Sequence, residues 1–322
     1  MKTVRILCGV IFLCLIASSQ GFSAPKEIIP LYTPGSGGTA YFLGGAIAKV
    51  VNKYVPEVQI TVEATGGAPA MVKLLDEKYP KGQPAMGIGI SKSFAFAYDG
   101  KAPFTKAYTN LRAISFLYGV EQPLLVLKNS PIKSYYDVKG KRIALGAAGS
   151  GVYEVATELM DAFKIAKDTY KPLHLGYKEV IEGLQDGSID AGFVAGSYPI
   201  PAIQELAVRK EVGIIPVDEK VLKKLTEDEP YYYAGKIKAG SYRGVDKDTP
   251  ILVSGAVFLT HSKVSSDVMY KITKAIYDHI DELIEIHPVA KEMTLENRKL
   301  TITFPIHPGV EQYFKERETK KK

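Results

Sequence analysis

The chain of 322 residues has no tryptophan and only two cysteines, Cys8 and Cys14, both near its amino terminus. Beyond them it has none, which excludes disulfide staples, a cysteine nucleophile and a cysteine-ligated metal. The remaining ~300 residues can bury enough apolar surface to do without such staples. One long apolar run occurs, ILCGVIFLCLIA; no other stretch approaches the ~20 residues of a membrane span. There is no G-x-S-x-G elbow, no P-loop and no H-E-x-x-H pair. An α/β-hydrolase nucleophile, a nucleoside triphosphate cradle and a zincin metal site are therefore not signalled. No carboxylate pair stands out as an acid–base couple. Low-complexity segments and fixed-period repeats are also missing. Charge of one sign is scarce: the formal net charge is +6, and +4 once Lys2 and Arg5 are removed with the leader. The only dense basic run, KERETKKK, is the chain end, and it reads as a frayed, solvated tail rather than a nucleic-acid arm.

The amino terminus has three parts: the basic MKTVR, the apolar run, and the small, polar SSQGFSA. That is the grammar of a secretory signal peptide, expected over residues 1–24, and it predicts an exported protein. The rest alternates strand, glycine turn and helix. IIPLYT leads through GSGGT into a helix on which Leu43, Ala46, Ile47, Val50, Val51 and Tyr54 form one apolar stripe. QITVEAT, MGIGI, LRAISFLYG and PLLVLKN follow as strands. A second series has RIALG, then a helix with Val152, Val155, Ala156, Leu159 and Phe163 on one side, then IDAGFVAG and GIIPV. Past a polar linker, ILVSGAVFLTHS reads as a long strand. SSDVMYKITKAIYDHIDELIEI reads as the longest helix, capped by Ser265 or Ser266. Two such series predict an α/β fold of two lobes with parallel sheets covered on both faces.

Ligands of open parallel sheets bind beyond the carboxyl ends of the strands. In this chain the turns GSGGT, TGGA, ISKS, AAGSG and AGSYP fall there, and facing one another they would line a cleft between the lobes. Gly37 and Gly38 allow close approach to the backbone, Thr39 adds a hydroxyl, and the helix dipole there favours a carboxylate or phosphate. Ser150, Gly151 and Val152 offer the same chemistry from the second lobe, with Ser150 reading equally well as a plain helix cap. The same turns contribute Tyr41, Gly67, Ser91, Lys92, Ser197 and Tyr198 as expected ligand contacts. GSGGTA also fits a loose dinucleotide pattern with Glu63, but an exported chain seldom meets free dinucleotides. No cofactor, metal or nucleic-acid partner is expected. His279, beside Ala275, Ile276 and Leu283, reads as a structural histidine, and most of the 20 tyrosines, Tyr231, Tyr232 and Tyr233 included, as core or half-buried strand residues.

Several long stretches resemble the TAXI solute receptors, the extracytoplasmic binding proteins of one branch of TRAP transporters. They are GGTAYFLGGAIAKVVNKYVPEVQITVEATGGA, IKSYYDVKGKRIALGAAGSG, GLQDGSIDAGFVAGSYPIPAIQELA and FPIHPGVEQYFKE, in that order. The resemblance implies a two-lobed periplasmic binding protein with two crossovers. Residues 25–122 and 245–322 would form lobe 1, and 123–244 lobe 2. It further implies a TRAP-type permease as partner and a small carboxylate as ligand; the leader predicts a periplasmic location, and a monomer is the default expectation. Glutamate, glutamine and 2-oxoglutarate are the family's examples. Hinge closure would bring Gly38 and Thr39 of one lobe and Ser150 and Gly151 of the other onto one carboxylate, with no bond made or broken. The sequence departs from the family at three places. Ile90, Ser91 and Lys92 stand where Gln-Ser-Asp is frequent, Val152 where threonine is common, and Ala68 and Pro69 where small polar residues are common. A cationic Lys92 facing the ligand would favour a dicarboxylate or 2-oxoacid over an amino acid. Two other readings stay open: a sensor subunit that presents a ligand to a receptor kinase, and an exported enzyme with an unsignalled site.

Overall fold

The computed structural model describes residues 26–35 and 38–320; the expected leader and Gly37 lie outside them. The first series is β1 (Glu27–Thr33), α1 (Thr39–Tyr54), β2 (Val58–Ala64), α2 (Ala68–Lys78), β3 (Met86–Ile90), α3 (Ser91–Asp99) and β4 (Leu111–Glu121). The apolar stripe of α1 is buried from Leu43 to Val51, as its spacing predicts. Tyr54, the last residue of that stripe, is instead exposed, and its ring stacks on His279.

The second series runs β5 (Leu124–Leu127), β6 (Arg142–Ala144), α4 (Gly151–Ala162), β7 (Lys171–Leu173), α5 (Tyr177–Asp186), β8 (Ala191–Phe193), α6 (Pro201–Arg209), β9 (Val212–Ile215) and α7 (Glu219–Asp228). Then come β10 (Tyr232–Ile237), β11 (Thr249–His261), α8 (Ser266–Asp278), α9 (Ile280–Ile286) and α10 (Pro308–Lys320). The strands form two sheets. One has the order β10-β11-β3-β1-β2, with β4 also paired to β11; the other has the order β7-β6-β8-β5-β9. These sheets are the centres of two lobes. The chain enters the second lobe between β4 and β5 and regains the first sheet at β10.

The sheets are mixed rather than parallel throughout. β1 pairs in parallel with β2 and β3, and β6 in parallel with β7 and β8. β11 is antiparallel to β3 and β4, and β5 antiparallel to β8 and β9. The strands that run against the rest are β11 in the first sheet and β5 in the second.

Three other expectations are corrected. The helix expected over SSDVMYKITKAIYDHIDELIEI breaks at His279 into α8 and α9, so α1 with its 16 residues is longer. Neither glycine nor proline causes the break. His279 leaves helical geometry and stacks on Tyr54 with ring centroids 3.4 Å apart, while Glu282 takes hydrogen bonds from Lys53 and Tyr54. Ser265 occupies the cap position of α8, but its side chain makes no cap bond. The stretch read as a polar linker contains α7 and β10, and the tail expected to fray is helical in α10, tied by Arg298 to Glu318.

Candidate functional site

The loops beyond the carboxyl ends of the strands meet between the lobes at two places. At the first, Thr39, the opening residue of α1, is buried (3% exposed), and its Oγ1 accepts a hydrogen bond of 3.4 Å from the backbone N–H of Ser197. Ser197 lies in the loop between β8 and α6. The neighbouring Gly196 exchanges backbone hydrogen bonds of 2.8 and 3.1 Å with Glu121 at the crossover. Helix α1 starts from Gly38 with no side-chain cap, so its first N–H groups face the interlobe region without a side-chain acceptor among the described residues.

At the second place, the start of α3 sits against α4. A Cβ added to Gly151 would lie 2.6 Å from Ile90 Cδ1, so any larger residue here must push the tip of the Ile90 side chain aside. Ser93 Oγ donates to Glu154 Oε2 at 2.7 Å. Lys92 Nζ, its side chain 9% exposed, is 2.5 Å from Glu158 Oε2, which also accepts from the hydroxyl of Tyr232. The Lys92 ammonium further lies over the rings of Phe96 and Tyr232, at 5.1 and 5.2 Å from their centroids. Burial pushes the Glu154 carboxyl up, against the hydrogen bond from Ser93 and the charge of Lys92. The Lys92 charge is thus met by protein groups, Glu158 and the two rings.

At the hinge end two further acids lie close together. Glu292, in a short 3₁₀ turn over Pro288–Glu292, accepts the backbone N–H of Gly119 at 2.8 Å and the hydroxyl of Ser197 at 3.4 Å. Glu121, two residues along β4 from Gly119, has its Oε2 buried with no partner among the described residues. Burial, then the neighbouring charge of Glu292, pushes the Glu121 carboxyl up to about 7; burial raises Glu292 as well. Ser91 Oγ and Gln122 Oε1 are likewise buried without partners, although Gln122 Nε2 bonds Ser254.

The sequence-predicted residues divide accordingly. Gly38, Thr39 and Ser197 come together at the first contact, and Lys92 and Gly151 lie at the second. Ser150 serves as the cap of α4, its Oγ accepting from Tyr153 N at 3.2 Å, and Val152 is buried behind it. Gly67 has φ +103 and opens α2, with its N–H on Thr65 Oγ1. Tyr41 is half-buried and meets Phe42 edge-on, while Tyr198 is 49% exposed and meets Tyr242 edge-on. The Tyr41 N–H donates to the Gly38 carbonyl at 3.0 Å, whereas no described bond joins Gly67 or Tyr198 to the other predicted residues. Sequence reasoning missed Glu121, Gln122, Glu154, Glu158, Tyr232 and Glu292. One signal was available: Glu121 and Gln122 stand in the short segment between two strands, where a chain changes lobes. Among the described residues no group of three or more histidine, cysteine or acidic side chains could hold a metal, and no helix is long and apolar enough to cross a membrane.

Two α/β lobes, crossed by the chain and touching through their strand-end loops, define the fold of the periplasmic solute-binding proteins. Solved structures agree. One described as a periplasmic transporter matches with a TM-score of 0.56 at 14% identity, covering 92% of this chain and 95% of its own. MatC from Rhodopseudomonas palustris with bound malate matches with 0.54 at 15%, covering 84% and 90%. The periplasmic aliphatic sulphonate binding protein SsuA from Escherichia coli matches with 0.50 at 16%, covering 92% and 88%. The chain belongs to the NMT1-like family, whose pattern it matches over residues 31–317.

Proposed function

We propose that the protein is an extracytoplasmic receptor that captures a small carboxylate between its lobes and delivers it to a TRAP-type permease, without chemical change. The observation that carries this reading is the opening of α1 at the lobe interface. Its N–H groups lack a side-chain cap, and Thr39 there already contacts the opposite lobe. Such a helix end favours an anionic group, and only the closed form brings Ser197 of the second lobe to it. Export rests on the leader and the TRAP partner on the TAXI resemblance; a monomer is the default expectation. The periplasmic neighbours and the malate of MatC accord with export and with a carboxylate. The pairing of Lys92 with Glu158 removes the charge that singled out dicarboxylates. Dicarboxylates, 2-oxoacids, glutamate and glutamine therefore all remain in the proposed class.

A thermal-shift screen of the purified protein against organic acids and amino acids tests this. A solute present at a hundredfold excess over its Kd stabilises the folded form by about 2.7 kcal/mol. The expected outcome is a raised melting temperature with at least one carboxylate, recovered unchanged afterwards. No shift across the panel, together with no solute released from the denatured sample by mass spectrometry, would overturn the reading.

A further inference from the structure

Two carboxylates that approach one another in a buried place, with no cation to compensate them, cannot both stay ionised cheaply. Glu121 and Glu292, half-buried residues with Glu121 Oε2 fully covered, are close to that position, and no cation pairs with either among the described residues. The groups that face them are hydroxyls and amides. Tyr118 comes from β4, Tyr233 from β10 and Tyr242 from the segment after it, all with phenols pushed up by burial. Ser197 comes from the loop before α6. Ser254, on β11, is taken by Gln122. The cations nearby in the chain are turned elsewhere. Arg298 pairs with Glu318 and the Leu295 carbonyl, and Lys291, beside Glu292, is exposed. His287, which precedes the turn, accepts from Val289 N and is held low by burial.

The cover over the pair comes from the opposite lobe. Glu121 and Glu292 lie on β4 and the turn packed against it, whereas Ser197 belongs to the loop before α6 in the second lobe, and the Tyr242 hydroxyl accepts from the N–H of Ile200 in that same loop. Opening the hinge would withdraw Ser197 and Tyr242 and let water reach both acids more freely. We infer that closure of the lobes takes up a proton on the Glu121–Glu292 pair, so that the receptor closes, and holds its solute, more readily as pH falls. The inference rests on the receptor reading only for its last clause; the closure itself is a property of the solute-free protein.

Small-angle scattering of the solute-free protein at pH 6 and pH 8 tests it, with Glu121→Gln as the neutral counterpart. The wild type is expected to show a larger radius of gyration at pH 8 than at pH 6. Glu121→Gln is expected to keep the smaller radius at both, with circular dichroism confirming the fold. Should Glu121→Gln fail to fold, Glu292→Gln takes its place with the same expectation. A wild-type radius that is the same at both pH values overturns the inference, as does a folded variant that expands like the wild type. No solute enters this measurement, so either failure leaves the thermal-shift result, and the receptor reading with it, untouched.

Discussion

Gly151 is the residue at which closure can be blocked most directly. Its missing side chain is what admits Ile90 from the other lobe. Overpacking such a contact costs about 1–3 kcal/mol, and each ~1.4 kcal/mol is tenfold in affinity. Gly151→Ala should therefore weaken solute binding about ten- to a hundredfold by calorimetry. The melting temperature of the solute-free protein should hardly move, because the added methyl strains the closed form and leaves the open one intact. Adding Ile90→Ala to the same chain should restore the affinity. Equal affinity in wild type and Gly151→Ala would show that the two lobes do not seat here when solute binds.

At the scale of elements, α3 and α4 are joined across the interface by Lys92, Glu158 and Tyr232. Removing one partner of a buried ion pair costs about 3–5 kcal/mol, whereas removing both is frequently near neutral. The Glu158 side chain is 21% exposed, so the loss here should fall at the low end of that range. With solute bound and the lobes closed, Lys92→Met should lower the urea midpoint, and Lys92→Met with Glu158→Gln should recover most of it while keeping solute affinity. If Lys92 held the solute's carboxylate instead, the double variant would regain stability but not binding. This clasp was hidden from sequence reasoning because Glu158 is 66 residues from Lys92. The glycine turns were legible because a glycine before a helix has a local cause. So was α1, whose stripe repeats every three and four residues. α7 was not, since only Leu222 and Leu225 in EKVLKKLTED are buried, too few to set a period. Nor was the break between α8 and α9, which is made by Tyr54 and Glu282 and by nothing in the helix's own propensity.

For the whole molecule, two groups set opposite slopes of stability against pH. The Arg142 guanidinium beside Asp190 holds that carboxyl below its usual range, so its contribution is present above the unfolded pKa and lost as pH falls through the lower folded one. Glu121 behaves in the opposite sense. Its carboxyl lies at about 7 in the fold, above the ~4.3 of an unfolded glutamate. Its contribution is full below ~4.3 and is lost as pH rises through about 7. Melting temperatures measured from pH 5 to pH 8 should therefore fall toward pH 8 in the wild type, and the fall should be shallower in Glu121→Gln. Parallel profiles for the two proteins would show that Glu121 carries no raised pKa.

The place of β11 in the first sheet has a consequence for how the chain comes together. β3 is complete by residue 90, yet the neighbour on its open side, β11, begins only at residue 249. The first lobe cannot close its sheet until the whole second lobe has passed. Pairings so distant in sequence fold slowly. A chain of this kind spends longest without tertiary structure while it is still growing, the condition in which a polypeptide can be threaded across a membrane.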